Sequence, residues 1–146
     1  MKKKVLFLIL PFVFLYGCEK YTLNKIYGDH TLTNYTVDGT ASLNSFKDSL
    51  GTLFRFDYDD VSGENTCSIS GPRNDGLGTM VTWNWELNNN NKILSQLISA
   101  GFSIGTGPFG VGKNNIEWEI LKLKSNYLQL KTNYNNKEYI IELEKN

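Results

Sequence analysis

Apolar and polar side chains alternate along most of this chain, and this period of two restricts the fold more than any other feature. The clearest case is residues 81–87, where every second side chain is large and apolar. Successive side chains of a β-strand point to opposite faces, so the pattern predicts strands with one buried face. The same alternation occurs at residues 30–37, 52–57, 66–70, 116–121, 127–130 and 139–143.

Residues typical of tight turns separate these segments. Asp38-Gly39 is a strong hairpin signal, and asparagine runs follow at residues 88–91 and 135–136. Sequential strands without a helical crossover close most readily as an antiparallel up-and-down barrel, because closure removes exposed sheet edges. We therefore predict an all-β fold, a small antiparallel barrel of seven to eight strands. A change of phase near Leu121 predicts a β-bulge.

Three segments between the strands have weaker patterns. In residues 92–100 the apolar side chains lie at helical spacing, and Gly101 follows as a stop signal. This spacing favours one short helix, and a strand that ends near Ile98 is the alternative. Residues 40–50 have no strong pattern and are interpreted as a polar connection. The glycine-rich residues 101–113 are interpreted as a long, mobile surface loop.

The start of the chain has the pattern of a secretory signal. Three lysines follow Met1, and the apolar run of twelve residues at 5–16 is interrupted only by Pro11. A membrane-spanning helix needs roughly 20 apolar residues, so this run is too short to span a bilayer. A signal peptide that ends at the small residue Gly17 is the better interpretation.

The four residues that end this segment, Leu15-Tyr16-Gly17-Cys18, resemble the lipobox of bacterial lipoproteins. In that family the signal is cut before the cysteine, whose thiol receives a diacylglycerol and whose amino group is acylated, for example with palmitate. The resemblance implies a lipid on Cys18 and a place in the cell envelope, at the outer membrane and on its periplasmic or surface face. The alternative is an uncleaved anchor or an ordinary secretory signal. The expected organisation is a signal peptide at 1–17, a lipidated tether at 18–28 and the barrel domain at 29–146.

Lipidation would also change the charge and the cysteine count. The chain has 15 basic and 15 acidic residues, and removal of three lysines with the signal leaves 12 against 15, a formal charge of −3. A mildly acidic domain gives no electrostatic reason to bind nucleic acid. Cys67 would be left without a disulfide partner. One cysteine and the single histidine, His30, cannot build a zinc site, so we expect no metal and no cofactor.

The strand patterns carry a second resemblance. Residues 78–85 read G-T-M-V-T-W-N-W, residues 118–123 read W-E-I-L-K-L and residues 128–130 read L-Q-L. This series resembles the lipocalin-like lipoproteins of Bacteroidota, over most of residues 28–144. The resemblance implies a lipocalin-like barrel carried by a lipoprotein, and it implies no catalytic residues. Asp48-Ser49-Leu50 also resembles the short O-glycosylation motif of exported Bacteroidota proteins, which implies Ser49 as an acceptor.

Aromatic residues on the predicted strands are the candidates for a ligand site. An eight-stranded barrel is either filled by its own side chains or holds one small ligand, and both alternatives stay open here. The neighbouring indoles of Trp83 and Trp85 need space and partners for their N–H groups, which supports a cavity. The candidate cavity residues are Phe54, Phe56, Trp83, Trp85, Trp118 and Tyr139.

These observations give two functional hypotheses. The first is a lipid-anchored protein that binds a small, partly apolar ligand in the barrel. The second is a structural or interaction lipoprotein, with a filled barrel, that contacts another envelope protein. An enzyme is not expected, because no pattern pairs a nucleophile with a base and His30 is interpreted as an exposed polar residue.

Two glycine motifs and one acidic cluster do not support other chemistry. Residues 105–110 fit G-x-G-x-x-G and residues 107–113 fit G-x-x-x-x-G-K, but both lead into a strand and Asn114 follows the lysine. The first motif binds dinucleotides only where it opens a helix, and the second binds phosphate only where Ser or Thr follows the lysine. A surface loop or a flap over the barrel mouth is therefore expected. The segment 57–64 contains four acidic residues but has Val61 at the third calcium-ligand position, so it is interpreted as an exposed hairpin.

Overall fold

The computed structural model describes residues 20–72, 78–101, 107–109 and 115–146. It confirms the predicted barrel. Two short helices, α1 at residues 20–26 and α2 at Leu43–Ser49, accompany the strands, and Gly107–Phe109 forms one 3₁₀ turn. The strands are β1 Gly28–Val37, β2 Thr40–Ala41, β3 Leu53–Asp59, β4 Glu64–Pro72, β5 Gly78–Asn88, β6 Ile93–Gly101, β7 Ile116–Lys124, β8 Tyr127–Tyr134 and β9 Lys137–Lys145.

Eight of these strands close into an antiparallel barrel. Each strand from β3 to β9 pairs with its neighbour in sequence, and β1 pairs with both β3 and β9. The short β2 pairs only with the end of β1. A bulge between Leu32 and Asn34 shifts the β1–β9 register, and the predicted bulge at Leu121 is confirmed between Ile120 and Lys122. Such bulges bend strands, as a closed barrel requires.

The predicted turns are confirmed at the hairpins. Asp38 and Gly39 have φ angles of 50° and 74°, and Asn135 and Asn136 have 51° and 60°. Left-handed backbone is accessible to glycine and, among other residues, most readily to asparagine and aspartate. The turn chemistry seen in the sequence therefore sets the ends of the strands.

The prediction of a helix at residues 92–100 is wrong, because these residues belong to β6. β6 pairs with β5 along its length and with β7 over its first four residues. A register shift places Ile98 opposite Asn84 but Gln96 opposite Trp85, so Leu97 is one extra residue in the strand. That bulge interrupts the period of two and produces the apolar spacing that resembles a helix.

Both helices lie where the sequence predicted no regular structure. α2 lies within the expected polar connection, and its Phe46 is buried, as is Leu50, the residue after Ser49. α1 lies within the expected tether at 18–28, where Ile26 is fully buried. Helices of seven residues are stabilised by tertiary packing more than by local propensity, so their sequences carry a weak signal.

α1 covers the barrel end at which β1 begins and β9 ends, and we call this the closed end. There Ile26 enters the core and the Tyr27 hydroxyl donates a hydrogen bond to Asn65 Oδ1. His30 Nε2 donates to the carbonyl of Ile26 at 2.8 Å. The opposite end carries α2 and the 3₁₀ turn, and we call it the mouth.

The expectation that His30 is exposed is wrong, because it lies on the inward face of β1 in phase with Leu32 and is 1 % exposed. Burial lowers the pKa of His30, and the hydrogen bond to Ile26 opposes this shift. The ring packs edge-on against Phe56, with centroids 5.5 Å apart. His30 is therefore part of the packing that holds α1 on the closed end.

Candidate functional site

A cavity of about 440 Å³ lies at the mouth, between α2 and the paired ends of β1 and β9. We call it the mouth cavity. Its walls combine aromatic and aliphatic side chains with serine hydroxyls and one lysine. The lining residues are Tyr35, Val37, Ser42, Ser45, Phe46, Ser49, Leu50, Gly107, Lys137 and Tyr139.

The 3₁₀ turn inserts Phe109 between the mouth and the barrel interior. Phe109 is 1 % exposed and stacks on Trp118, with ring centroids 4.9 Å apart. It also meets Phe46 edge-on, with centroids at 5.3 Å. The fully buried Gln96 donates from Nε2 to the Pro108 carbonyl at 3.3 Å and so holds the turn in place. Phe109 therefore forms a floor between α2 and the core.

Of the six candidate cavity residues, three pack around Phe109, two lie nearer the closed end, and one lines the mouth cavity. Phe54, Trp83 and Trp118 pack around Phe109. Phe56 and Trp85 contact each other nearer the closed end, with centroids 5.8 Å apart. Tyr139 lines the mouth cavity. All six are buried, so the space beside the two indoles is occupied by the protein's own rings.

The three indoles differ in their hydrogen bonds. Trp85 Nε1 donates to the Thr66 carbonyl at 3.0 Å, and Trp118 Nε1 donates to Gln96 Oε1 at 3.5 Å. Trp83 Nε1 has no partner among the described residues. A buried donor without a partner is costly. Of the neighbouring indoles Trp83 and Trp85, only Trp85 has the expected hydrogen-bond partner among the described residues.

Two serines of α2 and the serine just before the helix line one side of the mouth cavity. Ser42, Ser45 and Ser49 are spaced three and four residues apart, which places them on one face of a helix. Ser42 donates to the Thr40 carbonyl at 3.1 Å and Ser49 donates to the Ser45 carbonyl at 3.2 Å. The spacing was visible in the sequence, but it had no meaning without the helix.

Two tyrosines line the cavity beside α2, and Tyr35 contacts Phe46 edge-on with ring centroids 4.8 Å apart. The rings of Tyr35 and Tyr139 are stacked at 6.2 Å between centroids, and both hydroxyl-bearing side chains line the cavity. Burial, and to a lesser degree the neighbouring phenol, raises the pKa of Tyr35, and burial raises the pKa of Tyr139. Both phenols are therefore neutral at neutral pH, and Lys137 supplies the only charge among the lining residues.

Other predicted sites are placed as follows. Cys18 lies outside the described residues, as do most of the glycine motifs at residues 105–113. Ser49 is part of α2 and partly buried. Cys67 is fully buried, as an apolar position predicts, and burial raises the pKa of its thiol.

The acidic residues 57–64 form the exposed β3–β4 hairpin that the sequence predicted. The Asp59 carboxylate accepts hydrogen bonds from Val61 N at 2.9 Å and Ser62 Oγ at 3.0 Å. The backbone N–H of Val61, more than any other group, lowers the pKa of Asp59. Within the described part of the chain, no group of three or more His, Cys, Asp or Glu side chains could hold a metal ion.

No known protein-family model matches the chain, and no curated protein matches it either. In the ranges that the structure describes, no helix is long and apolar enough to cross a membrane. The barrel and the mouth cavity are therefore the features from which a function can be proposed.

Proposed function

We propose that this protein is an exported lipoprotein, anchored in the cell envelope through Cys18, whose lipocalin-like barrel binds a small, partly apolar ligand. The mouth cavity is the observation that carries the proposal. Its volume of about 440 Å³ lies within the range of small-molecule sites, roughly 300–1,000 Å³. Aromatic walls with a few polar groups are typical of such sites. The proposed role is binding and not catalysis.

The position of α1 agrees with an anchor at Cys18. The described part of α1 starts at residue 20, and Cys18 is only two residues away in sequence, a separation of at most about 7 Å in any conformation. A lipid on Cys18 would therefore hold the closed end near the bilayer. The mouth cavity, at the other end of the barrel, would then open away from the membrane and be accessible to ligands in solution.

The anchor is tested by replacing Cys18 with serine. We expect Cys18→Ser to move the protein out of the membrane fraction and to abolish labelling by radioactive palmitate, because serine offers no thiol for the diacylglycerol. Cys67→Ala is the matched control, since that thiol is buried in the core. Membrane retention or labelling of Cys18→Ser equal to that of the wild type would contradict the anchor.

Ligand binding is tested with the full-length protein purified from its own membranes. We expect native mass spectrometry to find a small molecule that is lost on collisional activation. Ser45→Trp fills the mouth cavity with an indole and should abolish this added mass. Asn44→Trp places the same indole on the exposed side of α2 and should leave the added mass unchanged. No added mass in the wild type, or full retention in Ser45→Trp, would argue against a ligand site at the mouth.

The burial of the six candidate cavity residues favours one alternative, an interaction lipoprotein that holds no ligand. Its barrel would serve as a rigid support for envelope contacts. This alternative would be supported if the wild-type protein showed no added mass in native mass spectrometry and gave a reproducible crosslinked partner in intact envelopes. A ligand found in the wild type and lost in Ser45→Trp would decide against it.

A further inference from the structure

The polar side chains of the mouth cavity are one lysine and five hydroxyl groups. The ammonium group can only donate hydrogen bonds, whereas each hydroxyl can donate or accept. Lys137 is exposed at the start of β9 and makes no ion pair within the described part of the chain. The hydroxyls of Ser45, Tyr35 and Tyr139 line the same cavity. In contrast to Ser42 and Ser49, these three hydroxyls have no hydrogen-bond partner among the residues described. Lys137 and three hydroxyls, from β1, α2 and β9, therefore line one cavity without a hydrogen-bond partner among the described residues.

The acidic side chains nearest to this wall in sequence, Asp38 and Glu138, have hydrogen-bond or ion-pair partners, although the charge of Asp38 also helps to raise the pKa of Tyr139. The Asp38 carboxylate accepts a hydrogen bond from the backbone N–H of Glu138 at 2.8 Å. The Glu138 carboxylate pairs with Lys131 at 2.6 Å. None of the residues that line the mouth cavity is acidic. The lining therefore carries one positive charge and no carboxylate, and the three hydroxyls beside Lys137 can donate hydrogen bonds to an anion.

The apolar walls limit the rest of the ligand. Phe46 comes from α2 and Leu50 follows it directly, and the Tyr35 ring contacts Phe46, with centroids 4.8 Å apart, while it stacks on Tyr139. The apolar part of a ligand would therefore lie against this group of side chains and not between Tyr35 and Phe46. One lysine balances one negative charge, so a monoanion suits the site better than a phosphate monoester with two charges.

From this arrangement we infer that the mouth cavity binds a monocarboxylate with a flat or short apolar body, its carboxylate held by Lys137 and by the hydroxyls of Ser45, Tyr35 and Tyr139. This inference rests on the proposed function, since it names the ligand class of the same cavity. Both phenols stay protonated above the usual pKa of tyrosine. They are therefore donors, and not competing anions, at neutral pH.

Three probes with one ring system test the inference: 2-naphthoate, the neutral 2-naphthamide and the cationic 2-naphthylmethylammonium. Binding is measured by saturation-transfer NMR and isothermal titration on the full-length lipoprotein in nanodiscs, with empty nanodiscs subtracted. We expect 2-naphthoate to bind at least about tenfold more tightly than the amide, in line with a charge-assisted hydrogen bond in place of a neutral one. The ammonium probe should bind most weakly.

Variants of one lysine separate charge from shape. Lys137→Gln should reduce the preference for 2-naphthoate over 2-naphthamide to about twofold or less, while Lys137→Arg should keep most of it. Lys92→Gln, a lysine in the turn at the closed end, should change nothing. Equal binding of the amide in the wild type, or an unchanged preference in Lys137→Gln, would overturn the inference.

The same experiment distinguishes the two proposals. If all three probes bind equally and Ser45→Trp abolishes their binding, the mouth cavity is a ligand site but the carboxylate inference fails. If no probe binds and native mass spectrometry finds no small molecule, both the inference and the proposed ligand site fail.

Discussion

Phe109→Ala is expected to lower the free energy of unfolding by about 3–5 kcal/mol, the range for a large aromatic side chain removed from a core. The Phe109 ring is almost fully buried and contacts Phe46, Phe54, Trp83 and Trp118. Its removal leaves a space between α2 and the core that rigid strands cannot easily fill. Urea denaturation of the full-length protein, followed by tryptophan fluorescence, measures the change.

A second measurement tests whether the lost ring leaves a cavity. Apolar cavities in proteins stay dry and bind small aromatic molecules. Benzene should therefore raise the melting temperature of Phe109→Ala and leave that of the wild type unchanged. Tyr58→Ala, at a half-exposed aromatic, should cost less than about 1 kcal/mol, because little apolar area is lost from the core. If Phe109→Ala lowered the free energy of unfolding no more than Tyr58→Ala does, the 3₁₀ turn would not support the core.

Gly51→Ala is expected to destabilise the protein by about 3 kcal/mol or more, at the upper end of the usual cost of overpacking. A Cβ at Gly51 would lie 2.2 Å from the Ser70 carbonyl oxygen and 2.6 Å from Gly71 N. These are backbone atoms of β4, so they cannot move aside as a flexible side chain does. Because Gly51 lies two residues after the end of α2, the substitution should also displace that helix and weaken binding at the mouth.

Gly39→Ala is the matched control for this substitution. Gly39 has a positive φ of 74°, but a Cβ there would meet nothing within 4 Å. Gly39→Ala should therefore lower the free energy of unfolding only by the cost of a left-handed alanine, about 1–2 kcal/mol. Thermal melts and native mass spectrometry of both variants give the comparison. A Gly51→Ala protein as stable as Gly39→Ala would mean that α2 and β4 are not held in close contact at this corner.

The features that the sequence predicted correctly are those with a local cause. The period of two located the strands, and residues such as Asp38 and Asn135 located the turns, because each depends on a few neighbouring residues. β6 was missed because the extra residue at Leu97 is a property of its pairing with β5. α1 and α2 were missed because each is held by buried side chains, such as Ile26 and Phe46, that meet distant strands.

The candidate site shows the same division. The sequence placed Trp83 and Trp118 on inward faces, and both are buried in the barrel as that phase requires. It gave no indication that Phe109, from a glycine-rich segment, would occupy the space between them. Nor did it show that the serines of α2 and Lys137 would share a cavity with Tyr139, since these residues come from segments about 90 residues apart in the chain.

The sequence by itself therefore determined an all-β chain of short sequential strands, with their inward faces and their turns. It also carries the pattern on which the proposed lipid anchor at Cys18 rests. Only the tertiary structure decided that the six candidate aromatic residues are buried and that a cavity lies at the mouth. The physical reason is that a strand's own residues set which face is buried, whereas the volume left inside a barrel depends on every side chain that meets there.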